Sequence, residues 1–323
     1  MIELGRRAAV GGALAGVATA AEAAEWPSKT STWIVGFPAG GPTDAFARPV
    51  AAQVAEALGQ TVVVDNRAGA SGTIAATQAA RAPADGYTML VGFTGFAFAP
   101  IIYPKAGFDL LRDFAPISAF ARVQSALVVN PERLDVKTLQ EFIAVAKAKP
   151  ESIDTASPGL GTVPHLAIVN FQARTGVLLH HVPYRGGAPA LQDLLAGNVA
   201  ASFASIATLI PQIKAGKLRA LAIAGRRREP LLPDVPTMDE AGLKDFRAIS
   251  WFGLFAPKRT PAAILDRLHG AVQKALTADE VKRVWAEQAA KVELESRADF
   301  TRFVGQEVMR WSGIARAAGV QME

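Results

Sequence analysis

The sequence contains no cysteine, and this absence removes several kinds of chemistry. Disulfide bonds, cysteine-ligated zinc and a thiol nucleophile are all excluded. A chain without cysteine suits an oxidising compartment outside the cytoplasm, although cytosolic proteins can lack cysteine too. Histidine is also scarce, with four residues in 323. Because no His-Glu-x-x-His pattern occurs, the sequence offers no strong metal site.

Motifs of the common enzymes are missing as well. No Gly-x-Ser-x-Gly turn occurs, and the GASG phrase at residues 69–72 lacks its spacing. No Gly-x-Gly-x-x-Gly phrase follows a predicted strand, which disfavours a dinucleotide site. We therefore expect no cofactor and no metal. A secreted hydrolase that assembles its catalytic residues in space is the alternative enzyme class.

Long apolar runs and dense charge are also missing. The apolar run over residues 91–103 is too short to cross a bilayer and is interrupted by glycine and proline. The net charge is +5, and the dense basic run is Arg226, Arg227 and Arg228. Because no aromatic residue is interleaved with these arginines, we favour a solvated loop over a nucleic-acid patch and expect no nucleic-acid partner.

The N-terminus has the pattern of an export signal. Arg6 and Arg7 precede an alanine- and glycine-rich stretch over residues 8–20, and small residues at Ala21 and Ala23 suit cleavage. We predict a signal peptide over residues 1–25 and a soluble periplasmic protein after cleavage. Export by the general or the twin-arginine route stays open. A frayed cytosolic N-terminus is the alternative.

Short apolar strands alternate with amphipathic helices along the rest of the chain, which predicts an α/β fold with a largely parallel sheet covered on both faces. We predict strands at residues 32–36, 61–66, 87–92, 126–130, 153–156, 179–182, 199–204, 218–224 and 250–257. Helices are predicted at residues 43–58, 72–82, 139–148, 165–175, 188–196 and 209–215, with two more towards the C-terminus.

Three glycine-containing loops each join a predicted strand to a predicted helix, at residues 36–44, 157–164 and 184–189. The N-terminus of a helix presents free N–H groups and the positive end of the helix dipole, so it binds anions without a charged side chain. Two lobes facing each other with such loops would hold a carboxylate-bearing molecule between them. The alternative for each loop is a tight connection in which Thr43, Asp44 or Thr162 merely caps a helix.

In these loops and beyond them, the chain resembles the Bug-type extracytoplasmic solute receptors of tripartite tricarboxylate transporters. The resemblance rests on an ordered series of phrases: "VGFPAGGPTDAFARPVAAQVAEALGQTVVVDNRAGASG", "SPGLGTVPHLA", "HVPYRGGAPALQDLLAGNV", "IKAGKLRALAI", "LPDVPTMDEAGL" and "SWFGLFAPKRTPA". It implies a fold like the type II periplasmic binding proteins, with two α/β lobes joined by two crossover strands. Lobe one would comprise residues 26–125 and 253–323, and lobe two residues 126–252.

The resemblance also implies a receptor without catalytic activity, which closes on a small organic acid and delivers it to a membrane permease. We expect a monomer. Carried over by motif, the ligand-binding residues of lobe one are Phe37, Ala39, Gly41, Thr43, Asp44 and Thr94. Those of lobe two are Ser157, Gly159, Gly161, Thr162, His165, Tyr184, Arg185, Gly186 and Ala204. A sensor subunit that signals to a membrane kinase is a further alternative.

Two departures from the family pattern concern the ligand. Ala204 stands where many members have an aspartate, and Phe93, Phe96 and Phe98 stand where relatives often have small polar residues. If one of these phenylalanines faces the cleft, an apolar or aromatic carboxylate fits better than an amino acid or citrate.

Overall fold

The structure is a computed structural model that describes residues 26–292, 294–317 and 319. The predicted signal peptide over residues 1–25 lies outside the described residues. The strands are β1 Ser31–Val35, β2 Val62–Asn66, β3 Thr88–Phe93, β4 Phe114–Val129, β5 Asp154–Ser157, β6 His180–Pro183, β7 Ala201–Ser205, β8 Arg219–Ile223 and β9 Ile249–Pro257. The predicted α/β class is confirmed.

The helices pack on both sides of these strands. They are α1 Pro42–Leu58, α2 Thr73–Ala80, α3 Ala99–Ile102, α4 Leu110–Asp113, α5 Leu139–Ala148, α6 Val163–Thr175, α7 Gly187–Leu195, α8 Ile206–Lys214, α9 Ala262–Ala275, α10 Asp279–Glu287 and α11 Arg297–Ala317. Two short 3₁₀ helices occupy Ala70–Gly72 and Thr94–Ala97. Within the described ranges, no helix combines the length and apolarity that a membrane span needs.

The sheet has two sections. In the first, β2, β1 and β3 run parallel, and β9 pairs antiparallel with β3 and with β4. In the second, β7, β5 and β6 run parallel, and β7 and β8 pair antiparallel with β4. The predicted parallel pairing therefore holds on the outer side of each section. The strands near the centre of the molecule are antiparallel.

Strand β4 joins the two sections. Its residues up to Gln124 pair with β9, and its residues from Ser125 onward pair with β7 and β8. Only the last part of this 16-residue strand was predicted from the sequence. Pro116 cannot donate a ladder hydrogen bond, and the register with β9 shifts on both sides of Ser118. Such bulges break the two-residue periodicity by which a strand is recognised.

Aromatic residues fill the core next to both faces of the first section. Trp33 packs with Phe120 and the helices α1, α9 and α10 on one face. On the other face, the C-terminal helix α11 buries Phe300 and Trp311 completely, as its apolar stripe predicts. Helix α11 also contacts α6 of the second section. The last helix therefore spans both parts of the sheet.

Candidate functional site

The first jaw, residues 37–44, connects the carboxyl end of β1 to helix α1. Gly41 is the N-cap residue and Pro42 begins the helix, so neither Thr43 nor Asp44 is the cap. Proline suits this position because its missing N–H group has no partner in the first turn anyway. Ala39 and Gly40 are exposed, and Gly40 adopts a φ of +80°. The turn therefore presents backbone rather than side chains at the sheet edge.

Asp44 fixes the first jaw from beneath. Its carboxylate accepts hydrogen bonds from the backbone N–H of Gly40 at 2.9 Å, from Arg48 Nε at 2.8 Å and from Asn66 Nδ2 at 2.9 Å. Asn66 also donates to the carbonyl of Phe37 at 3.0 Å. Burial alone would raise the pKa of Asp44, but these hydrogen bonds outweigh it and lower the pKa below its usual range. Asp44 is therefore a charged support of the turn.

A pair of phenylalanines lies beside the first jaw. The rings of Phe37 and Phe93 meet edge to face, with their centroids 4.9 Å apart, and both side chains are half-buried. Phe96 packs beneath Phe93 at 4.6 Å, and Phe96 and Phe98 are each 1% exposed. Of Phe93, Phe96 and Phe98, Phe93 is thus the one that retains exposed surface.

Thr94 lies one residue beyond β3 and is buried. Its hydroxyl accepts a hydrogen bond from the backbone N–H of Trp251 at 2.7 Å. The side chain is 1% exposed, so the hydroxyl joins β9 to the end of β3 and does not face the surface of the jaw. The structure thus gives Thr94 a position behind the phenylalanine pair.

The second jaw, residues 157–162, connects β5 to helix α6. Thr162 caps this helix, because its hydroxyl accepts a hydrogen bond from the N–H of His165 at 3.3 Å and donates to the carbonyl of Gly159 at 2.7 Å. Gly159 has a φ of +140° and Gly161 a φ of +69°, which L-residues with a side chain rarely adopt. The path of this loop therefore requires both glycines.

Two stacked imidazoles support the second jaw. The rings of His165 and His181 lie 4.6 Å apart with an interplanar angle of 16°. Nε2 of His181 lies 2.7 Å from Oγ of Ser157, and Nδ1 of His165 accepts a hydrogen bond from the N–H of Gly161 at 3.2 Å.

Burial keeps both imidazoles neutral. Burial, with a smaller contribution from the neighbouring His181, lowers the pKa of His165 to about 4. Burial and the nearby His180 lower the pKa of His181 as well. At neutral pH, the imidazoles that support the second jaw therefore carry no positive charge.

The third loop lies next to the second jaw. The backbone N–H groups of Tyr184 and Gly186 donate to the carbonyls of Ser157 and Pro158 at 3.0 and 2.9 Å. The Tyr184 hydroxyl donates to Asp193 at 2.6 Å, and burial together with this carboxylate raises the pKa of Tyr184 to about 12. Arg185 is exposed at the turn. The structure thus brings the second and third loops together.

Ala204 lies near the carboxyl end of β7, the strand beside β5. It is half-buried, and the next residue, Ser205, is the N-cap of helix α8. Because β5 and β7 are parallel, their carboxyl ends lie at the same edge of the sheet. This part of the edge is apolar at Ala204.

Residues 102–103 bring the second jaw close to the first section. A Cβ atom placed on Gly161 would lie 3.5 Å from the hydroxyl oxygen of Tyr103 and 3.8 Å from Ile102 Cδ1. That hydroxyl lies 2.6 Å from Oγ of Ser71, in a turn where Ser71 has a φ of +52°. Positive φ at a residue with a side chain costs free energy and is often found at functional sites.

Sequence reasoning missed four residues of this region: Asn66, Ser71, Tyr103 and His181. Asn66 ends an apolar strand in the phrase VVVDN, a position at which ligands of α/β sheets often bind, so its place could have been inferred. The contacts of Ser71 with Tyr103 and of His181 with Ser157 join residues far apart in sequence. Among the described residues, no group of three or more histidine, aspartate or glutamate side chains could hold a metal ion.

Comparison with known families gives a match over most of the chain. Residues 46–320 match the family described as "Tripartite tricarboxylate transporter family receptor". Protein BugT of Bordetella pertussis is 37% identical over 313 residues, which is 96% of each chain. The family match begins just after the first jaw and includes the second, and the BugT alignment extends over nearly the whole chain.

Solved structures agree with the sequence match. The structure titled "R. palustris Rpa4515 with adipate" is 36% identical, with a TM-score of 0.80, covering 92% of this chain and 100% of the other. "MatC (Rpa3494) from Rhodopseudomonas palustris with bound malate" is 34% identical, with a TM-score of 0.77, covering 90% of this chain and 100% of the other. The predicted resemblance to periplasmic receptors is confirmed.

Proposed function

Because this chain belongs to the tripartite tricarboxylate transporter receptor family, we propose that its ligand is a carboxylate with an apolar body, held between the first and second jaws. The family establishes the coarser function: the chain is a periplasmic carboxylate receptor of such a transporter, and a binding protein rather than an enzyme. The hydrolase alternative is therefore set aside. The nature of the ligand and the binding role of each residue are the proposal.

The pair formed by Phe37 and Phe93 carries the proposal. It places half-buried aromatic surface beside the turn that leads into the N-terminus of helix α1. Amides and a helix N-terminus suit a carboxylate group, and an aromatic wall suits methylene groups or a ring. Ala204 adds apolar surface at the edge of the second section, where an acidic residue would suit an ammonium or hydroxyl group.

Two relatives of known structure support the class of ligand. One was solved with adipate, a dicarboxylate with an unbranched methylene chain, and the other with malate, a shorter hydroxylated dicarboxylate. The phenylalanine pair favours the first of these over the second. We therefore rank adipate-like and aromatic carboxylates above malate, citrate and aspartate as ligands of this chain.

The arrangement of the jaws supports capture by closure. We propose two lobes, with residues 26–125 and 253–323 in lobe one and residues 126–252 in lobe two. The change of pairing partner on β4 after Gln124 supports the first boundary. The pairing of Ile249–Pro257 with β4 supports moving the second boundary a few residues earlier. Ligand contacts that require both jaws would favour the closed state.

In the same proposal, residues 1–25 direct export and are removed, and the mature receptor works as a monomer. The roles of Ala39, Gly41, Thr43, Ser157, Gly159, Gly161 and Thr162 are to present or shape backbone donors. Asp44, His165 and Tyr184 support these loops from behind, through the hydrogen bonds described above. Arg185 and Gly186 form the rim.

Calorimetric titration with adipate, benzoate, malate, citrate and aspartate tests the proposed ligand class. We expect adipate or benzoate to bind most tightly. Phe93→Ala should weaken that binding at least about tenfold. Phe93→Leu should keep most of the affinity, because leucine, like phenylalanine, buries a large apolar surface against the ligand. Preferential binding of citrate or aspartate that Gly41→Val weakens would contradict the proposal, and so would full affinity in Phe93→Ala.

A further inference from the structure

A cavity of about 280 Å³ lies outside both jaws, beside the point where β4 and β9 pass between the two sections of the sheet. We call it the hinge pocket. Its floor is formed by Gln124 and Ile249, which pair across the two strands. Arg226 and Arg227 line it from the loop after β8, and Lys291 lines it from the segment before α11. None of the loops of the carboxylate site contributes to it.

The charge of the hinge pocket is strongly positive. Six of its lining residues are arginine or lysine, and two are glutamate. The two glutamates are already paired, Glu295 with Arg122 at 2.7 Å and Glu307 with Arg310 at 3.1 Å. A further lining arginine, Arg247, pairs with Asp239 outside the pocket.

Three cations of the hinge pocket therefore keep their full charge. The side chains of Arg226, Arg227 and Lys291 form no ion pair with any residue in the described part of the chain. Arg228, the next residue in the same loop, instead pairs with Glu240 at 2.9 Å and does not line the pocket. The basic run thus divides into two arginines that line the hinge pocket and one that is neutralised elsewhere.

A buried amide provides a second, independent sign of a ligand. Gln124 is 6% exposed, and its Nε2 donor has no hydrogen-bond partner among the described residues. The carboxamide lies over Gly225, where an added Cβ atom would come within 1.5 Å of Oε1. An unsatisfied buried donor costs free energy, so its presence in a cationic pocket indicates an acceptor group there.

We propose that the hinge pocket is a second binding site, for a small polyvalent oxyanion of the phosphate or polycarboxylate type. Guanidinium groups bind such anions through paired charge-assisted hydrogen bonds, and the Gln124 amide would donate one more. The volume suits a compact anion rather than an extended chain. Arg226 and Arg227 are exposed, so salt should screen their attraction for an anion.

The position of the hinge pocket links this site to closure. Arg226 and Arg227 follow β8 of the second section, whereas Lys291 pairs with Arg122 on the part of β4 that belongs to the first. A bound anion would therefore bridge the two sections across the strands that join them. This consequence rests on the proposed two-lobe closure, but binding of the anion does not.

Calorimetric titration with inorganic pyrophosphate and, separately, with citrate tests the site and distinguishes the two sources of oxyanion. We expect at least one of them to bind with an affinity that falls as salt concentration rises. Arg227→Gln should weaken binding at least about tenfold, because it removes a charge-assisted contact. Arg228→Gln, the matched control with the same loss of charge in the same loop, should leave the affinity within about twofold.

A first-jaw variant separates this site from the carboxylate site. Gly41→Val should weaken binding of the preferred carboxylate and leave pyrophosphate or citrate binding at the hinge pocket intact. If Gly41→Val lost anion binding while Arg227→Gln kept it, the anion would bind between the jaws, and the proposal would be overturned. Absence of binding by both probes, or equal losses in Arg227→Gln and Arg228→Gln, would overturn it as well.

Discussion

The two jaws have similar backbones but are supported by different chemistry. Under the first jaw, the ionised carboxylate of Asp44 connects Gly40, Arg48 and Asn66. Under the second jaw, all the supporting groups are neutral, with Ser157 bonded to His181 and the two imidazoles stacked. In each jaw a supporting side chain accepts a hydrogen bond from a glycine N–H of the loop, Asp44 from Gly40 and His165 from Gly161. The support of such a loop can thus be charged or neutral.

This difference predicts different responses to mutation and to pH. Removing one partner of a charged support should lower the free energy of unfolding more, because the remaining donors and the cation are left without their acceptor. A neutral support of imidazoles is sensitive to protonation in a pH range where a strongly bonded carboxylate still keeps its charge. The two jaws should therefore be destabilised under different conditions.

Replacing the charged support should have the largest effect. Asp44→Asn keeps the shape of the side chain, but its amide group places a donor against Gly40, Arg48 or Asn66. We expect the free energy of unfolding to fall by about 2 kcal/mol, less than for a fully buried ion pair because the Arg48 side chain is 50% exposed. Urea denaturation measures this change.

Ser157→Ala is the matched control in the second jaw. It removes the neutral contact between Ser157 and His181, for which we expect a loss of about 1 kcal/mol. If the two variants lost the same amount, the contrast between a charged and a neutral support would not hold.

The next largest effect should come from replacing the glycines of the two jaws, which should differ in how much stability they cost. Gly159 has a φ of +140°, and an added Cβ would lie 2.9 Å from the Tyr184 carbonyl oxygen, whereas the nearest atom to a Cβ on Gly41 is the Pro38 carbonyl oxygen at 3.3 Å. Gly41 has an ordinary φ of −74°. We expect Gly159→Ala to lower the free energy of unfolding by about 1–2 kcal/mol and Gly41→Ala to change it by less than about 0.5 kcal/mol.

Thermal and urea denaturation of both alanine variants checks this expectation. A bulkier residue separates stability from binding at the first jaw, since Gly41→Val should weaken the carboxylate affinity while the protein remains folded. If Gly41→Ala were as destabilising as Gly159→Ala, the first jaw would need its glycine for its own conformation and not for access by the ligand.

Local patterns were sufficient to predict the jaws themselves. Each is a short apolar strand, a glycine turn and a helix start, and all three signals lie within a few neighbouring residues. The helix over residues 139–148 was predicted with the bounds that the structure has, because its cap Thr138 and its apolar periodicity agree. Helix α10 was missed, because its mean polarity conceals a narrow apolar face at Val281 and Trp285.

The supports of the jaws could not be predicted in the same way. His181 reaches Ser157 because β6 pairs with β5, and Asn66 reaches Asp44 because β2 pairs with β1. Neither pairing leaves a signal at the residues themselves. Strand β4, which joins the two sections, was also predicted too short. The bulges around Ser118 interrupt the alternating pattern from which most of the strand would have been recognised. Sequence patterns thus indicated the two turns, and strand pairing determined what holds them.

The pH dependence of stability should separate the two jaws most finely. Burial lowers the pKa of His165 to about 4, whereas the unfolded chain takes up this proton near the ordinary value of 6.5. Because the unfolded state binds the proton first, the stability that His165 contributes is present above pH 6.5 and is lost as the pH falls from there towards 4. One such group changes the free energy of unfolding by up to about 1.4 kcal/mol per pH unit.

The stability that Asp44 contributes is also lost as the pH falls, but in a lower pH range. Its pKa is lowered from 3.8, so its contribution is complete above that value and is lost only as the pH falls below it. His165→Asn removes the titrating group and keeps an oxygen acceptor for the Gly161 N–H. We expect it to flatten the dependence of urea stability on pH between 6.5 and 4, whereas Asp44→Asn should leave that slope unchanged. An unchanged slope in His165→Asn would mean that protonation of His165 does not destabilise the second jaw. The contrast between the two supports would then rest only on the stabilities of Asp44→Asn and Ser157→Ala.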